Sequence, residues 1–217
     1  GVPRFDGTVD PYTFVGGMVE SWELSFGNGE IASLSVTVDA KDVTTATAYA
    51  APSYSTGASL FHFANAAITT GTFTAPTSNT LASGGTVLGN VRSGSISVSH
   101  NLGTERYNFG GDGRKDKPTT GMREISGSLS VEYSSTAFRD AVLNETPMSF
   151  VLTYEGAALG AGNETLQVAL PEIKFDGQLP SSNGGDEVLV DMSFVALDNG
   201  TAAQPIWVCT RTADTAL

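Results

Sequence analysis

Few side chains in this sequence could do acid–base or metal chemistry at neutral pH. Histidine is the residue that most readily exchanges a proton near pH 7, and the 217 residues include two, His62 and His100. His100 falls on the apolar side of an alternating segment, which favours a core or interface position. Serine is abundant, but there is no G-x-S-x-G nucleophile elbow, phosphate-binding loop or His/Cys group with zinc spacing. We therefore predict a protein that is not an enzyme and holds no metal or cofactor.

The single cysteine, Cys209, cannot form an intramolecular disulfide. Its apolar neighbours at 206–208 predict a buried structural thiol. No apolar run approaches the roughly 18 residues that a membrane-spanning helix needs, and no basic-then-apolar signal segment opens the sequence. We therefore expect no association with a membrane.

The chain is acidic and poor in charged residues. It has 23 acidic and 11 basic residues, a net charge of −12, and charged residues make up only 16% of the total. Ser, Thr and Gly fill the difference. Because binding to a phosphate backbone needs Lys and Arg contacts, such a chain should not bind DNA. The acidity fits either simple solubility or a surface that must not adhere to DNA.

The basic residues are concentrated on one segment, a Gly-rich loop over residues 103–122. Its centre, residues 110–117, lacks the alternating oxygen ligands and the terminal Glu of a calcium loop. The loop fits either a solvated hairpin tip or a projection that docks on an acidic face of a neighbouring copy. The second interpretation gives a role to five of the 11 bases: Arg106, Arg114, Lys115, Lys117 and Arg123.

Period-2 alternation of apolar and polar residues dominates the chain and predicts strands with one buried face. Residues 18–26 and 33–39 alternate in this way on either side of Gly27-Asn28-Gly29, a strong hairpin-turn signal. Residues 93–102 and 125–133 alternate again, on either side of the basic loop. Both hairpins therefore have an apolar face and a face of Ser, Thr and acids. The polar faces carry Ser21, Glu23, Ser25, Ser33, Ser35, Thr37, Asp39, Ser93, Ser95, Ser97, Ser99, Ser126, Ser128, Ser130 and Glu132.

One helix is predicted over residues 135–144. Ser134 or Ser135 can cap its start, and Pro147 lies beyond its end. Further strands are predicted at 148–154, 165–170, 187–197 and 206–210. Residues 41–92 form a loop-rich excursion with a strand near 59–70.

The order of these elements resembles that of the major tail tube proteins of long-tailed, siphovirus-type bacteriophages. The resemblance covers most of the chain, and residues 41–60 fit it least well. It rests on five segments: GMVESWELSFGNGEIASLSVTVDAK at 17–41, NVRSGSISVSHN at 90–101, ISGSLSVEY at 125–133, VLVDMSFVAL at 188–197 and IWV at 206–208. The predicted helix at 135–144 also fits the resemblance.

The resemblance implies a mainly β fold, an antiparallel β-sandwich or half-barrel with two long hairpins and one α-helix. It implies a single tail tube domain over residues 1–217, with an N-terminal arm at 1–16. On hexamerisation, four strands from each subunit would complete a β-barrel, a ring of ~24 strands. The polar faces would line the lumen, loop 103–122 would bridge to the next ring, and Phe5, Tyr12 and Phe14 of the arm would dock on a neighbour.

Stacked rings would form a hollow tube in the virion tail that conducts double-stranded DNA without binding it specifically. The implied partners are other copies of the chain, the tape measure protein, the tail terminator, and distal tail or baseplate proteins. Assembly would take place in the host cytoplasm.

Two other functions fit the residues less well. One is a secreted or surface β-sandwich module that binds carbohydrate or mediates adhesion. Such sites usually present an exposed aromatic ring, whereas Trp22 and Trp207 fall in apolar strand patterns. The other is a hydrolase that uses one of the many serines.

Overall fold

The computed structural model of the chain describes residues 1–52, 60–107, 109–110, 116–134, 136–160, 162–177, 184–185 and 187–212. These residues form a mainly β fold, as predicted. The strands are β1 Val2–Pro3, β2 Val9–Asp10, β3 Thr13–Val15, β4 Met18–Gly27, β5 Ser33–Asp39, β6 Asp42–Thr44, β7 Ala66–Thr74, β8 Ser83–Val87, β9 Val91–Ser99, β10 Glu124–Glu132, β11 Met148–Leu159, β12 Gly162–Gly177, β13 Leu189–Ala196 and β14 Trp207–Arg211; one 3-10 turn spans Phe63–Asn65, and the helix α1 spans Ala137–Leu143.

One large sheet runs in the order β5-β4-β9-β10-β13-β12-β11-β7-β8, with β14 also paired to β12. Both predicted hairpins are present, and the strands predicted at 148–154, 165–170, 187–197 and 206–210 correspond to β11 to β14. The predicted strand near 59–70 begins later, at Ala66, and the excursion contributes β8 as well. Small separate sheets pair β1 with β2 and β3 with β6.

The chain divides into two compact units. The first contains Gly1–Glu23, Ser35–Ala58 and Val98–Glu124, and the second contains Leu24–Leu34, Ser59–Ser97 and Ile125–Leu217. The prediction of one domain over residues 1–217 therefore stays a prediction. The second unit holds most of the core and the helix.

Apolar side chains at every second position of the strands form the core, because alternate side chains of a strand point to the same face. Leu24 and Phe26 in β4, Ile96 in β9, and Leu129 and Val131 in β10 are all buried. Phe194 of β13 lies 5.7 Å from Phe150 and 6.1 Å from Phe175, measured between ring centroids. The apolar faces predicted for β4, β9 and β10 are thus the faces that fold inward.

The helix α1 is shorter than predicted and begins differently. Its N-cap is Thr136, whose side chain makes no capping hydrogen bond, so Ser134 is not the cap; Ser135 lies outside the described residues. Phe138 contacts Phe175 edge to face at 5.7 Å. With only two turns the helix gains little from its own hydrogen bonds, so this contact and buried Ala141 hold it on β12.

Gln167 in β12 makes a buried polar bridge that fixes the chain before β8. Its Nε2 donates to the carbonyl of Ala82 at 3.0 Å and to Oγ1 of Thr153 at 2.9 Å, and its Oε1 accepts from the Ala82 N–H at 2.8 Å. Gln167 and Ala82 are both buried. One side chain therefore satisfies both backbone groups of Ala82.

Replacing Gln167 with Leu should destabilise the fold by about 2 kcal/mol, because buried backbone groups left without partners cost about 1–3 kcal/mol each and relaxation recovers part of this. Urea unfolding of the two proteins measures the difference. Asn163→Leu is the control, since within the described residues the side-chain amide of Asn163 donates to the exposed carboxylate of Glu155 and satisfies no buried group. Equal midpoints for all three proteins would contradict the role of the bridge.

Candidate functional site

A row of four serines crosses four adjacent strands on the polar face of the large sheet. Hydrogen bonds from the Asn28 N–H to the Arg92 carbonyl and from the His100 N–H to the Glu20 carbonyl set the register of β4 and β9; this places Ser25 opposite Ser95. Ser95 and Ser128 are joined by a hydrogen bond of 3.2 Å between their hydroxyl oxygens, and Ser128 pairs with Ser193 of β13. Short hydroxyl groups therefore form a continuous polar strip.

The other residues predicted to line a lumen lie on strands β4, β5, β9 and β10. No Lys or Arg stands among them. The exposed members are Glu23, Ser33, Ser35, Thr37, Ser93, Ser126 and Ser128; the half-buried members are Ser21, Ser25, Asp39, Ser95, Ser97, Ser99, Ser130 and Glu132.

Strand β13 adds Asp191 and Ser193 to the polar face, and neither residue was predicted to line a lumen. Val190, Met192 and Phe194 are buried, whereas Asp191 and Ser193 between them are exposed. Asp191 pairs with Ser130 of β10. Leu189 and Val195 lie on the same side of β13 and are 47% and 51% exposed, so the sequence pattern alone does not mark this side as polar. The pairing with β10 places Asp191 and Ser193 beside the serine row.

Strand β5 is an edge of the large sheet and is uncovered on both faces. All its residues from Ser33 to Val38 are exposed. The apolar positions are 61% exposed at Leu34, 48% at Val36 and 56% at Val38. An exposed, apolar edge strand readily pairs with another chain, so β5 has the character of an assembly surface.

An ion cluster lies where β9 begins and β10 ends. The Arg92 guanidinium pairs with the carboxylates of Glu132 and Glu187, and the Arg92 Nε is buried without a hydrogen-bond partner within the described structure. Hydrogen bonds to Glu187 and the charges of both acids raise the pKa of Arg92. Glu132, predicted to line a lumen, is therefore also bound to this cluster.

The basic loop is less free than its sequence indicates. Arg106 donates from Nη1 to the Lys117 carbonyl at 3.0 Å and lies 3.7 Å from the Asp116 carboxylate. The carboxylate of Asp116 therefore partly neutralises the charge of Arg106 within the loop. Lys117 and Arg123 are exposed, and Arg114 and Lys115 lie outside the described residues.

The N-terminal arm presents aromatic side chains to solvent. Phe5 is fully exposed, Phe14 is 69% exposed and Tyr12 is 49% exposed. The Arg4 guanidinium donates a bidentate pair of hydrogen bonds to the Asp10 carboxylate and so joins β1 to β2. The arm is thus held by its own contacts and by the pairing of β3 with β6, while Phe5, Phe14 and Tyr12 stay exposed.

The pairing of β1 with β2 in this arm should weaken at acid pH. The hydrogen bond from Arg4 lowers the pKa of Asp10. A carboxyl group whose pKa falls on folding stabilises the fold above its unfolded pKa, and this is lost as the pH falls through the lower, folded value. The contact between Pro3 and Val9, measured by NMR as a nuclear Overhauser effect, should therefore weaken below about pH 4. In Asp10→Asn it should already be weak at neutral pH; an undiminished contact in this variant would contradict the prediction.

The residues considered for chemistry do not form a reactive group. His100 follows the end of β9 instead of lying within it, and its Nδ1 is buried without a hydrogen-bond partner in the described part of the chain. His62 forms an isolated bridge with Ile31. Cys209 is half-buried and not fully buried as predicted; this partial burial raises the pKa of its thiol, which favours the unreactive thiol form. Among the described residues, no three His, Cys, Asp or Glu side chains are grouped to hold a metal ion.

The two tryptophans considered for a carbohydrate site, Trp22 and Trp207, are half-buried. The Trp207 ring packs 5.6 Å from that of Phe73.

In the described part of the chain, no helix has both the length and the hydropathy to cross a bilayer.

No curated protein matches the sequence. The family model described as phage tail tube protein matches residues 1–196. A chain of this family is a structural component of the virion tail, and it assembles with further copies of itself and with other tail proteins. Because the match spans 196 of 217 residues, this chain belongs to the phage tail tube protein family.

Proposed function

We propose that this protein forms hexameric rings that stack into a hollow tube, and that the serine face lines the channel through which viral DNA passes into the host. The observation that carries the proposal is the serine row of β4, β9, β10 and β13. It lies on one face of a sheet whose reverse face is packed into the core.

The chemistry of this face suits the passage of DNA. Serine hydroxyls are short and wettable, and acids such as Glu23 and Asp191 repel phosphate at neutral pH. Since Lys and Arg contacts supply most of the affinity for a phosphate backbone, their absence from the face keeps DNA from adhering.

The strand edge supports self-assembly. In the proposed ring, β5 pairs with the neighbouring copy, and its apolar face is covered there. Closure of a sheet into a ring leaves no free edge. Rings of this kind can enclose the tape measure protein before DNA enters and can end against terminator and baseplate proteins.

Electron microscopy of the purified, concentrated protein tests this function. We expect rings and stacked tubes with an open channel. A protein that stays monomeric at every concentration, as measured by sedimentation velocity, would contradict the proposal.

Adding positive charge to the serine row should slow DNA passage without preventing assembly. Ser95→Lys with Ser128→Lys would place twelve cations in each proposed hexameric ring, and each phosphate contact raises the affinity for DNA. Phage that carry the double variant should assemble normal tails but release DNA more slowly, most markedly at low salt. Ser95→Asn with Ser128→Asn is the control. Equal release rates for the two variants would contradict the assignment of this face to the channel.

A further inference from the structure

Two asparagines in the described part of the chain are followed directly by glycine, in the pairs Asn28-Gly29 and Asn199-Gly200. Such a pair can modify itself, because the glycine nitrogen can attack the side-chain carbonyl carbon of the asparagine. Glycine has no side chain to hinder this approach, and the two groups are close because they belong to neighbouring residues, which favours ring closure. Both pairs are therefore chemically able to deamidate without an enzyme.

The reaction at such a pair needs water as its one co-reactant. A C–N bond forms between the glycine nitrogen and the asparagine Cγ, and the side-chain amide leaves as ammonia together with the proton of the glycine N–H. Water then opens the resulting succinimide at either of its carbonyl groups, which gives aspartate or isoaspartate. Each conversion adds one negative charge, and isoaspartate also inserts a methylene group into the backbone.

Asn28 lies in the turn between β4 and β5, where its reacting groups are free. The residue is exposed, and within the described structure neither its side-chain amide nor the Gly29 N–H makes a hydrogen bond. A Cβ built on Gly29 would have no heavy atom within 4 Å, so there is open space around the attacking nitrogen. The folded turn thus leaves this pair able to react.

Asn199 lies beyond the end of β13 and is held by hydrogen bonds. Its Oδ1 accepts from the N–H groups of Thr201 at 3.0 Å and Ala202 at 2.7 Å. The Gly200 N–H donates to Oδ1 of Asp198 at 2.9 Å. Side-chain hydrogen bonds of this kind fix the local conformation of a turn. Ring closure requires the Asn199 side chain to leave this position, and the Asp198 carboxylate opposes the loss of the Gly200 proton.

The turn at Asn28 is tied to neighbouring segments of the second unit. The Asn28 N–H donates to the Arg92 carbonyl at 2.8 Å, and the Glu30 N–H donates to the Gly27 carbonyl at 3.1 Å. The Phe63 N–H donates to the Glu30 carbonyl at 3.0 Å. A methylene group added inside the turn changes the spacing of these bonds. Because the turn sets the register of a hairpin, the change disturbs the start of the edge strand β5.

We propose that Asn28 is a site of spontaneous deamidation, and that its conversion to isoaspartate ends the ability of an unassembled subunit to join other copies. Asn199 is protected by its hydrogen bonds. The modification follows from the two turns alone, whereas its effect on assembly rests on the proposed function. The exposed turn then limits the time for which a free subunit stays competent to assemble.

Peptide mapping by mass spectrometry tests the modification. The whole protein is kept at mildly alkaline pH, once folded and once in denaturant, and isoaspartate is detected with an isoaspartyl methyltransferase. In the folded protein we expect Asn28 to convert several-fold faster than Asn199. Denaturant should accelerate conversion at Asn199 several-fold and change that at Asn28 little. Equal conversion of the two residues in the folded protein, or faster conversion of Asn199, would overturn the assignment.

Sedimentation velocity of aged samples tests the effect on assembly. We expect the parent protein to lose assembly in proportion to conversion at Asn28. Aged Asn28→Ser should assemble like fresh protein, because serine cannot form the succinimide. Asn199→Ser is the matched control and should lose assembly together with the parent.

The outcomes separate the inference from the proposed function. Full assembly of a parent sample converted at Asn28, or an equal loss in aged Asn28→Ser, would contradict the effect on assembly. If fresh parent protein forms neither rings nor tubes, the proposed function fails, and peptide mapping still decides whether Asn28 is the modified residue.

Discussion

Replacing Val36 with Asp is expected to leave a folded subunit that no longer assembles. Val36 lies on the apolar face of the edge strand β5 and is 48% exposed, so the substitution should cost the isolated subunit little. In the proposed ring this face is covered by a neighbour. An uncompensated charge buried there costs about 3–5 kcal/mol, which weakens each subunit contact by at least about a hundredfold. Sedimentation velocity measures the loss of rings, and circular dichroism measures the retained fold.

Thr37→Asp is the matched control for this prediction. Thr37 is the next residue of β5, is also exposed, and lies on the opposite, polar face. The added charge is the same, but it would face the channel, where acids are already present. We expect Thr37→Asp to assemble like the parent protein. Assembly of Val36→Asp at parental concentrations, or an equal loss in both variants, would contradict the role assigned to the apolar face of β5.

Replacing Gly127 with Ala is expected to destabilise the fold more than the other single substitutions considered. A Cβ at this position of β10 would lie 2.3 Å from Cζ of Phe194 and 2.3 Å from the Ser95 carbonyl oxygen. Phe194 is buried, and the carbonyl belongs to β9, so neither can move without disturbing the core. Overpacking of this kind costs about 3 kcal/mol. Calorimetry should show a Tm lower by roughly 6–12 °C for a chain of this size.

Gly89→Ala is the control for Gly127→Ala. No heavy atom lies within 4 Å of a Cβ built on Gly89, and the residue lies outside the strands. Its Tm should stay close to that of the parent protein. Equal Tm values for Gly127→Ala and Gly89→Ala would contradict the close packing of Phe194 against β10.

The strands and their faces could be predicted from the sequence because the alternation is strong and local. Leu24, Phe26, Ile96 and Leu129 are buried as the pattern requires. The turn at Gly27-Asn28-Gly29 is present, with Gly29 at a φ of 82°, where a residue without a side chain is favoured. Each of these features depends on neighbours along the chain, so a single sequence contains the information.

Features that depend on pairing between distant segments could not be predicted in this way. Asp191 and Ser193 join the polar face only because β13 pairs with β10. The partial neutralisation of Arg106 by Asp116 depends on how the loop folds back. The helix begins after Thr136, whose side chain makes no capping hydrogen bond, so the search for a capping Ser or Thr side chain could not locate this start.

The apolar side of β5 shows both a local feature that the sequence predicts and a feature that it does not. Alternation predicted correctly that Leu34, Val36 and Val38 share a face, but it also predicted that they belong to a buried face. In the isolated subunit they are exposed. In the proposed ring a neighbouring copy would cover this face, and the apolar alternation at the edge of the sheet would then reflect burial in the assembly.

A cryo-electron microscopy reconstruction of the assembled protein tests the central claim most directly. It would show the direction in which the row Ser25, Ser95, Ser128 and Ser193 faces. The proposed function predicts that these four side chains line an open channel and that β5 is paired with the neighbouring subunit. A tube with this row on its outer surface, or buried between subunits, would contradict the account.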